Sequence, residues 1–206
     1  MKVSNHRLVL DDDTPLPFVA SPNVGATIVP ELLIIHSTAG QTAAGAIAWL
    51  TNPKARVSAH VVIGSDGAVT QLVPFNRRAF HVGPGTWRDH TSLDQLSIGI
   101  ELDNPGRLKR AKGRWIASFK KEYPSEVVFM GRHKNSNEEY GWIHFPPSQL
   151  ESAIQVATAL LLQYAIKDVV GHDDVAPGRK WDPGPAFPME KFRDAVIQRA
   201  KTASAH

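Results

Sequence analysis

The sequence predicts one α/β domain, residues 1–206, with a central mixed β-sheet flanked by helices. Three observations lead there. Two apolar runs, LLII (32–35) and LSIGIEL (96–102), have strand length and the near-continuous hydrophobicity of strands buried on both faces. The segment SAHVVIGSDGAVTQLV reads as a hairpin turning at Ser65-Asp66-Gly67. The stretch PPSQLESAIQVATALLLQYA repeats apolar residues at helical spacing. Strands alternating with helices give a layered sheet-and-helix architecture.

Taken in order, residues 1–30 read as an irregular leader, broken by Pro15, Pro17, Pro22 and Pro30. LLII then forms a buried strand ending at His36, and Thr42 to Leu50 form a short helix. The hairpin follows, and LSIGIEL supplies another buried strand. In the long helix, Leu150, Ile154, Ala157, Leu161 and Tyr164 share a face, and Ser148 with Glu151 fits a capping box. Val169-Val170 make a short final strand, and Phe187 to Lys201 a C-terminal helix. There is no internal repeat.

Composition narrows the chemistry. The chain has no cysteine, which removes disulfides, thiolate ligands and thiol nucleophiles together. No apolar run approaches the roughly 20 residues of a membrane span. The apolar patch at the N-terminus is too short for a secretory signal, so the expected location is cytoplasmic as made, with any action outside following release or export by another route. The net charge of +3 is unevenly placed. Between Gly106 and Pro146 nine Lys/Arg face four Glu, a net +5, whereas the remainder is −2. The basic character belongs to an insertion, residues 107–146.

Three polar residues stand where apolar strands stop: His36, Glu101 and His172. Such strand ends gather functional groups in α/β proteins. Asp182 follows His172 through VVGHDDVAPGRKWDPGPAF, a track stiffened by Pro177, Pro183 and Pro185. Two imidazoles and one carboxylate are the ligand set of a catalytic zinc with an open position for water, which the metal acidifies. Amide hydrolysis at such a site needs a carboxylate to move protons, for which Glu101 is available. It also needs a cation near the developing oxyanion, for which Lys180 is available.

The set IIHSTAG, SAHVVIGSDGAVTQLVPFNRRAFHVG, SIGIELDN and GHDDVAPGRKWDPGPAF strongly resembles the zinc-dependent N-acetylmuramoyl-L-alanine amidases. That family includes the recycling amidase, its envelope relatives, phage amidase lysozymes and peptidoglycan recognition proteins. The resemblance runs in family order from Leu32 to Phe187 and implies the amidase and recognition-protein fold. It implies His36, His172 and Asp182 as zinc ligands, Glu101 as the carboxylate working on water, and Lys180 as the cation for the tetrahedral intermediate. The phage branch often has Cys as third ligand and a Tyr before the hairpin-strand histidine; Asp182 and Ala59 stand here, which favours the recycling and envelope branch and strengthens Glu101. The implied reaction cuts the amide between the lactyl group of N-acetylmuramic acid and L-alanine, on peptidoglycan or muropeptides. The competing reading is a non-catalytic binding module of the same fold, which has no reason to keep all five residues.

Two places depart from the family pattern. Phe80-His81-Val82-Gly83 replaces the frequent Trp-His-Ala-Gly, and Asp94-Gln95-Leu96 replaces the usual Asn-Asp before SIGIE. His81, in Pro/Gly surroundings, is expected to touch substrate, with His60 and Arg179 as further substrate-binding candidates. His6, His90, His133, His144 and His206 read as surface residues. In the insertion, Trp115, Phe119, Tyr123, Phe129, Tyr140, Trp142 and Phe145 interleave with the cations. They read first as a satellite core, then as a glycan-binding surface; single-stranded nucleic acid is the least favoured partner.

Overall fold

A computed structural model describes residues 1–205; His206 lies outside the described residues. The N-terminal segment carries β1 (Lys2–Ser4), β2 (Arg7–Val9) and β3 (Val24–Thr27). It continues into β4 (Leu32–Ser37), α1 (Ala43–Leu50), β5 (Val61–Ile63), β6 (Val69–Gln71), β7 (Arg77–Ala79) and β8 (Ser97–Leu102). Residues 107–146, which the sequence reads as an insertion, hold β9 (Lys109–Ala111), β10 (Arg114–Ile116), β11 (Glu122–Tyr123), β12 (Phe129–Arg132) and β13 (Glu139–Trp142). After it come α2 (Pro147–Gln163), β14 (Asp168–Gly171), the single turn α3 (His172–Val175) and α4 (Met189–Ser204).

The central sheet has the order β14-β4-β8-β5-β6. The first four strands run parallel and β6 closes the edge antiparallel, so the sheet is mixed, as expected. Side chains alternate across a strand, and here the alternation sorts two layers. Leu33, Ile35, Ile98, Ile100, Val61 and Ile63 face α2 and α4, meeting Ala153, Val156, Leu160, Phe192 and Val196. Leu32, Ile34 and Val62 face the other way, towards Val82, Trp87 and Leu93 on one side and Leu50 and Leu72 on the other. Being two positions on from Ile34, His36 belongs to that second face.

The leader is not irregular. Asn5 and His6 adopt left-handed φ of 47° and 62° in a two-residue loop joining β1 and β2. That is the turn geometry whose twist matches a hairpin, and Asn is among the residues that tolerate it. The buried Gln71 side chain ties this hairpin to the sheet, accepting from the Leu8 amide at 2.9 Å and donating to the His6 carbonyl at 3.0 Å. The prolines punctuate the segment without preventing pairing.

Helix α1 starts as its sequence asks, with the Thr42 hydroxyl accepting from the Gly45 amide. The capping box expected for α2 is absent. Pro146 occupies the cap position, Ser148 donates to the Ser65 carbonyl, and Glu151 pairs with Arg199 of α4 at 2.7 Å. Pro147 in the first turn needs no amide partner, which removes part of the demand a side-chain cap would meet.

The insertion forms two small antiparallel units and its own core of Leu108, Trp115 and Ala117, with Phe119, Tyr123 and Val128 packed around it. Trp142 and Phe145 join the main core instead. No helix among the described residues is long and apolar enough to cross a membrane.

Candidate metal centre

Strand register assembles the site. His36 on β4 is level with Glu101 on β8, which in turn is level with Val62 on β5. On the opposite side Ile35 pairs with Gly171, so His172 follows directly at the end of β14. One row across the carboxyl ends of three parallel strands thus carries His172, His36 and Glu101. Asp182 returns to this row on the Pro/Gly track, whose ends are tied by the Asp173 amide donating to the Asp182 carbonyl at 2.8 Å.

The ligand atoms converge. His36 Nδ1 lies 2.8 Å from His172 Nδ1 and 3.1 Å from Asp182 Oδ2, and His172 Nδ1 is 3.0 Å from the same oxygen. A tetrahedral ion with bonds of about 2.0–2.1 Å holds its ligand atoms about 3.3 Å apart, so the trio needs only a few tenths of an ångström to close on one. Among the described residues, this is the cluster of His and carboxylate groups that fits a metal. Each histidine's other nitrogen is already engaged: His172 Nε2 donates to the Val82 carbonyl at 2.9 Å, and His36 Nε2 meets His81 Nδ1 at 2.9 Å. Both imidazoles are buried, and burial first, with the His172 ring second, brings His36 down to about 4, so it is neutral and able to ligate at physiological pH.

Glu101 points into the same space. Its Oε2 is buried and has no hydrogen-bond partner among the described residues. Burial, and then the nearby Asp182 charge, push its carboxyl up to about 8 against a smaller pull from Lys180. A buried carboxyl with an idle oxygen beside a cation-shaped cluster is a feature of reactive sites. Lys180 lines the groove on the other side of Asp182, and no carboxylate among the described residues lies within ion-pair distance of it.

Two arms of one groove meet at Ser37, Ala39, Lys180 and Asp182. The first, of about 440 Å³, includes His36, Glu101, Phe80 and Trp49, a residue 58% exposed. The second, of about 570 Å³, is walled by the insertion and carries Arg107, Lys109 and Arg179.

Several expectations need correction. The His81 side chain is 0% exposed and turns inward beneath His36, so it is not a substrate contact; only its main chain reaches the groove. His60 is also fully buried, its Nδ1 accepting from the Gly99 amide and its Nε2 donating to the Arg77 carbonyl, which leaves nothing for a substrate. Arg179 stays on the groove wall, held by the Val82 and Pro84 carbonyls.

His133 is not a surface residue. It is 1% exposed and pairs with the buried Asp173 at 2.9 Å, while Lys134 reaches both Asp173 and Asp174. His6 is half-buried against the Tyr164 hydroxyl at 2.7 Å; His90 and His144 are exposed as expected. The insertion also grips Trp181, with Arg107 4.0 Å above its ring and His133 and Tyr140 against it. It therefore braces the loop that carries His172 and Asp182. Sequence reasoning passes over Ser97, Gly99 and Asp173, and notes Asp94 only as a departure from the family pattern. The one signal for them is Gly99, an unforced glycine inside an otherwise apolar strand, which marks a close approach.

Known proteins share this fold. The profile of a family described as N-acetylmuramoyl-L-alanine amidase matches residues 26–185. The N-acetylmuramoyl-L-alanine amidase AmiD of Escherichia coli (strain K12) is 32% identical over 176 residues, covering 81% of this chain and 53% of the relative. The 1,6-anhydro-N-acetylmuramyl-L-alanine amidase AmpD of the same organism is 32% identical over 143 residues, covering 68% of this chain and 59% of the relative. The chain thus spans between half and three-fifths of the length of these curated relatives. Among solved structures, a selenomethionine AmpD derivative superposes with a TM-score of 0.67 at 26% identity, over 95% of this chain and 99% of that one. Escherichia coli AmiD in complex with the substrate anhydro-N-acetylmuramic acid-L-Ala-D-gamma-Glu-L-Lys gives 0.61 at 30% identity, over 86% and 59%.

Proposed function

Because this chain belongs to the N-acetylmuramoyl-L-alanine amidase family, we propose that it hydrolyses the amide between the lactyl group of N-acetylmuramic acid and the L-alanine of the stem peptide. The observation that carries the reading is the unpartnered, buried Oε2 of Glu101 beside the converged His36, His172 and Asp182. A pure binding module gains nothing from such an oxygen, which costs desolvation energy while it stays idle.

His36, His172 and Asp182 would hold zinc, a borderline-soft ion suited to two imidazoles and a carboxylate. When bound, zinc supplies Lewis-acid polarisation of the scissile carbonyl and acidifies the attacking water. Glu101 takes a proton from that water and hands it to the departing L-alanine amine. Its raised proton affinity suits the donor half of this cycle; with zinc held by His36, His172 and Asp182, the positive charge would lower that affinity for the acceptor half. Lys180, with no carboxylate partner among the described residues, places its positive charge where the oxyanion develops.

The two arms suit the two halves of a muropeptide. Exposed Trp49 and half-buried Phe80 offer ring surface for a sugar, and Arg107, Lys109 and Arg179 offer cations for stem-peptide carboxylates. The substrate of the complexed AmiD relative is of this kind, an anhydromuramyl peptide. Metal analysis of the purified protein tests the cofactor: one zinc per chain, with hydrolysis of a muramyl-L-alanyl peptide lost on chelation and restored by zinc, is expected. Full activity in protein stripped of metal overturns the reading.

A further inference from the structure

We propose that the dipeptide His81-Val82 and the Ser97 hydroxyl are positioning elements that lock both ligand histidines in the tautomer that can bind a metal. The proposal rests on the reading of His36 and His172 as ligands and explains how a metal-free chain keeps them ready.

A chain of hydrogen bonds ends at the Leu93 carbonyl, which can only accept. Ser97 Oγ lies 2.7 Å from it and so spends its single proton there. His81 Nε2, 3.2 Å from Ser97 Oγ, must then be the donor of that pair. A neutral imidazole has one donor and one acceptor nitrogen, and the His81 ring, 0% exposed and with no carboxylate within hydrogen-bond distance among the described residues (Asp94 Oδ1 stands 4.0 Å from Nε2), has nothing to hold a second proton. Its Nδ1 is therefore an acceptor. His36 Nε2, 2.9 Å away, carries the proton that fills it. That leaves His36 Nδ1 as a bare lone pair, facing His172 Nδ1 and Asp182 Oδ2. On the other histidine the logic takes one step: the Val82 carbonyl fixes the proton on His172 Nε2 and bares its Nδ1.

One dipeptide thus orients both ligands, by its side chain at 81 and its main-chain carbonyl at 82. It is itself pinned, since Asp94 Oδ1 accepts from the amides of His81 and Val82 at 3.1 and 2.9 Å. Space for the His81 ring comes from Gly99: a Cβ there would lie 2.5 Å from His81 Nδ1 and 2.7 Å from its Cγ. This accounts for a glycine inside β8 two residues before Glu101 on the same face, and for a histidine side chain that the groove does not use.

Zinc affinity, read by competition with a chromophoric chelator, tests the chain of bonds. Removing such an outer partner weakens metal binding by about 10–100-fold. Ser97→Ala is expected near the lower end and His81→Phe near the upper, with Ser97→Thr, which keeps the hydroxyl, close to wild type. A merely structural role would lower the melting temperatures of metal-free and zinc-loaded protein equally. The relay instead shrinks the gap between them. Should a variant fail to fold, ¹⁵N-histidine spectra of metal-free wild type decide independently, with His36, His81 and His172 all expected protonated at Nε2. Zinc affinity unchanged in both Ser97→Ala and His81→Phe overturns the proposal, as does a proton on Nδ1 of His36. If wild type itself takes up no zinc, the metal centre is wrong and the relay falls with it.

Discussion

His36 and Glu101 stand level on adjacent parallel strands, β4 and β8, with their side chains on the face opposite the two long helices. Register, not a loop, therefore sets the distance from the proposed ligand His36 to the carboxyl. Glu101→Ala is expected to lower kcat by about 10²–10⁴-fold, the usual span for general acid–base groups, while zinc content stays at the wild-type value. Steady-state kinetics beside metal analysis checks both halves, and near-normal turnover would reassign the proton carrier.

Lys180 is expected to act on the transition state. Loss of an oxyanion-stabilising donor costs about 10²–10³ in kcat, so Lys180→Ala should show that drop with little change in KM. A raised KM at constant kcat would make the lysine a ground-state binder instead.

The insertion is expected to matter for the metal loop through His133. The His133→Ala change leaves the 4%-exposed Asp173 without its Nε2 partner. Lys134 still meets Asp173 at 2.8 Å, so the loss is that of one hydrogen bond to a charged group, about 1.5–3 kcal/mol, measurable by urea unfolding, and zinc affinity should fall with it because Asp173 adjoins His172. Stability within about 0.5 kcal/mol of wild type, the range of ordinary surface substitutions, would show that the clamp carries no load.

Buried His60 makes stability depend on acid. Burial brings its imidazole down to about 4, against 6.5 in the unfolded chain. Between those values the unfolded state binds the proton and the folded state does not, so stability is full above pH 6.5 and falls as pH drops towards 4. The loss from this residue approaches about 3 kcal/mol. His36 and His81, also depressed by burial, add in the same direction. Urea unfolding of wild type and His60→Gln across pH 4–8 should give a flatter slope for the variant, even if it is less stable at pH 7. Parallel slopes would contradict the assignment.

Much of the fold and the site is legible in the sequence, for identifiable reasons. Strands buried on both faces advertise themselves as apolar runs, so β4, β8 and their terminal His36 and Glu101 can be placed from the residues alone. The mixed sheet, α1 and α2 follow from periodicity. The leader hairpin is hidden because the prolines at 15, 17, 22 and 30 outweigh its short Asn5-His6 turn. The inward turn of His81 is hidden because neighbouring Pro and Gly suggest a surface loop. Only the pairing of Ile34 with Gly99 reveals the vacant room beneath it. Likewise, nothing local to His133 announces Asp173, 40 residues away, as its partner.

Whether this site cuts the lactyl–L-alanine amide with a bound metal can be read from its products. Purified sacculi and a soluble disaccharide-peptide would be digested with and without chelator, and the fragments identified by mass spectrometry. The expected product is a free stem peptide with an L-alanine amino terminus, abolished by chelation and restored by zinc. Protein shown to hold one zinc per chain that cleaves neither substrate, or cleaves a different bond, would contradict the amidase assignment.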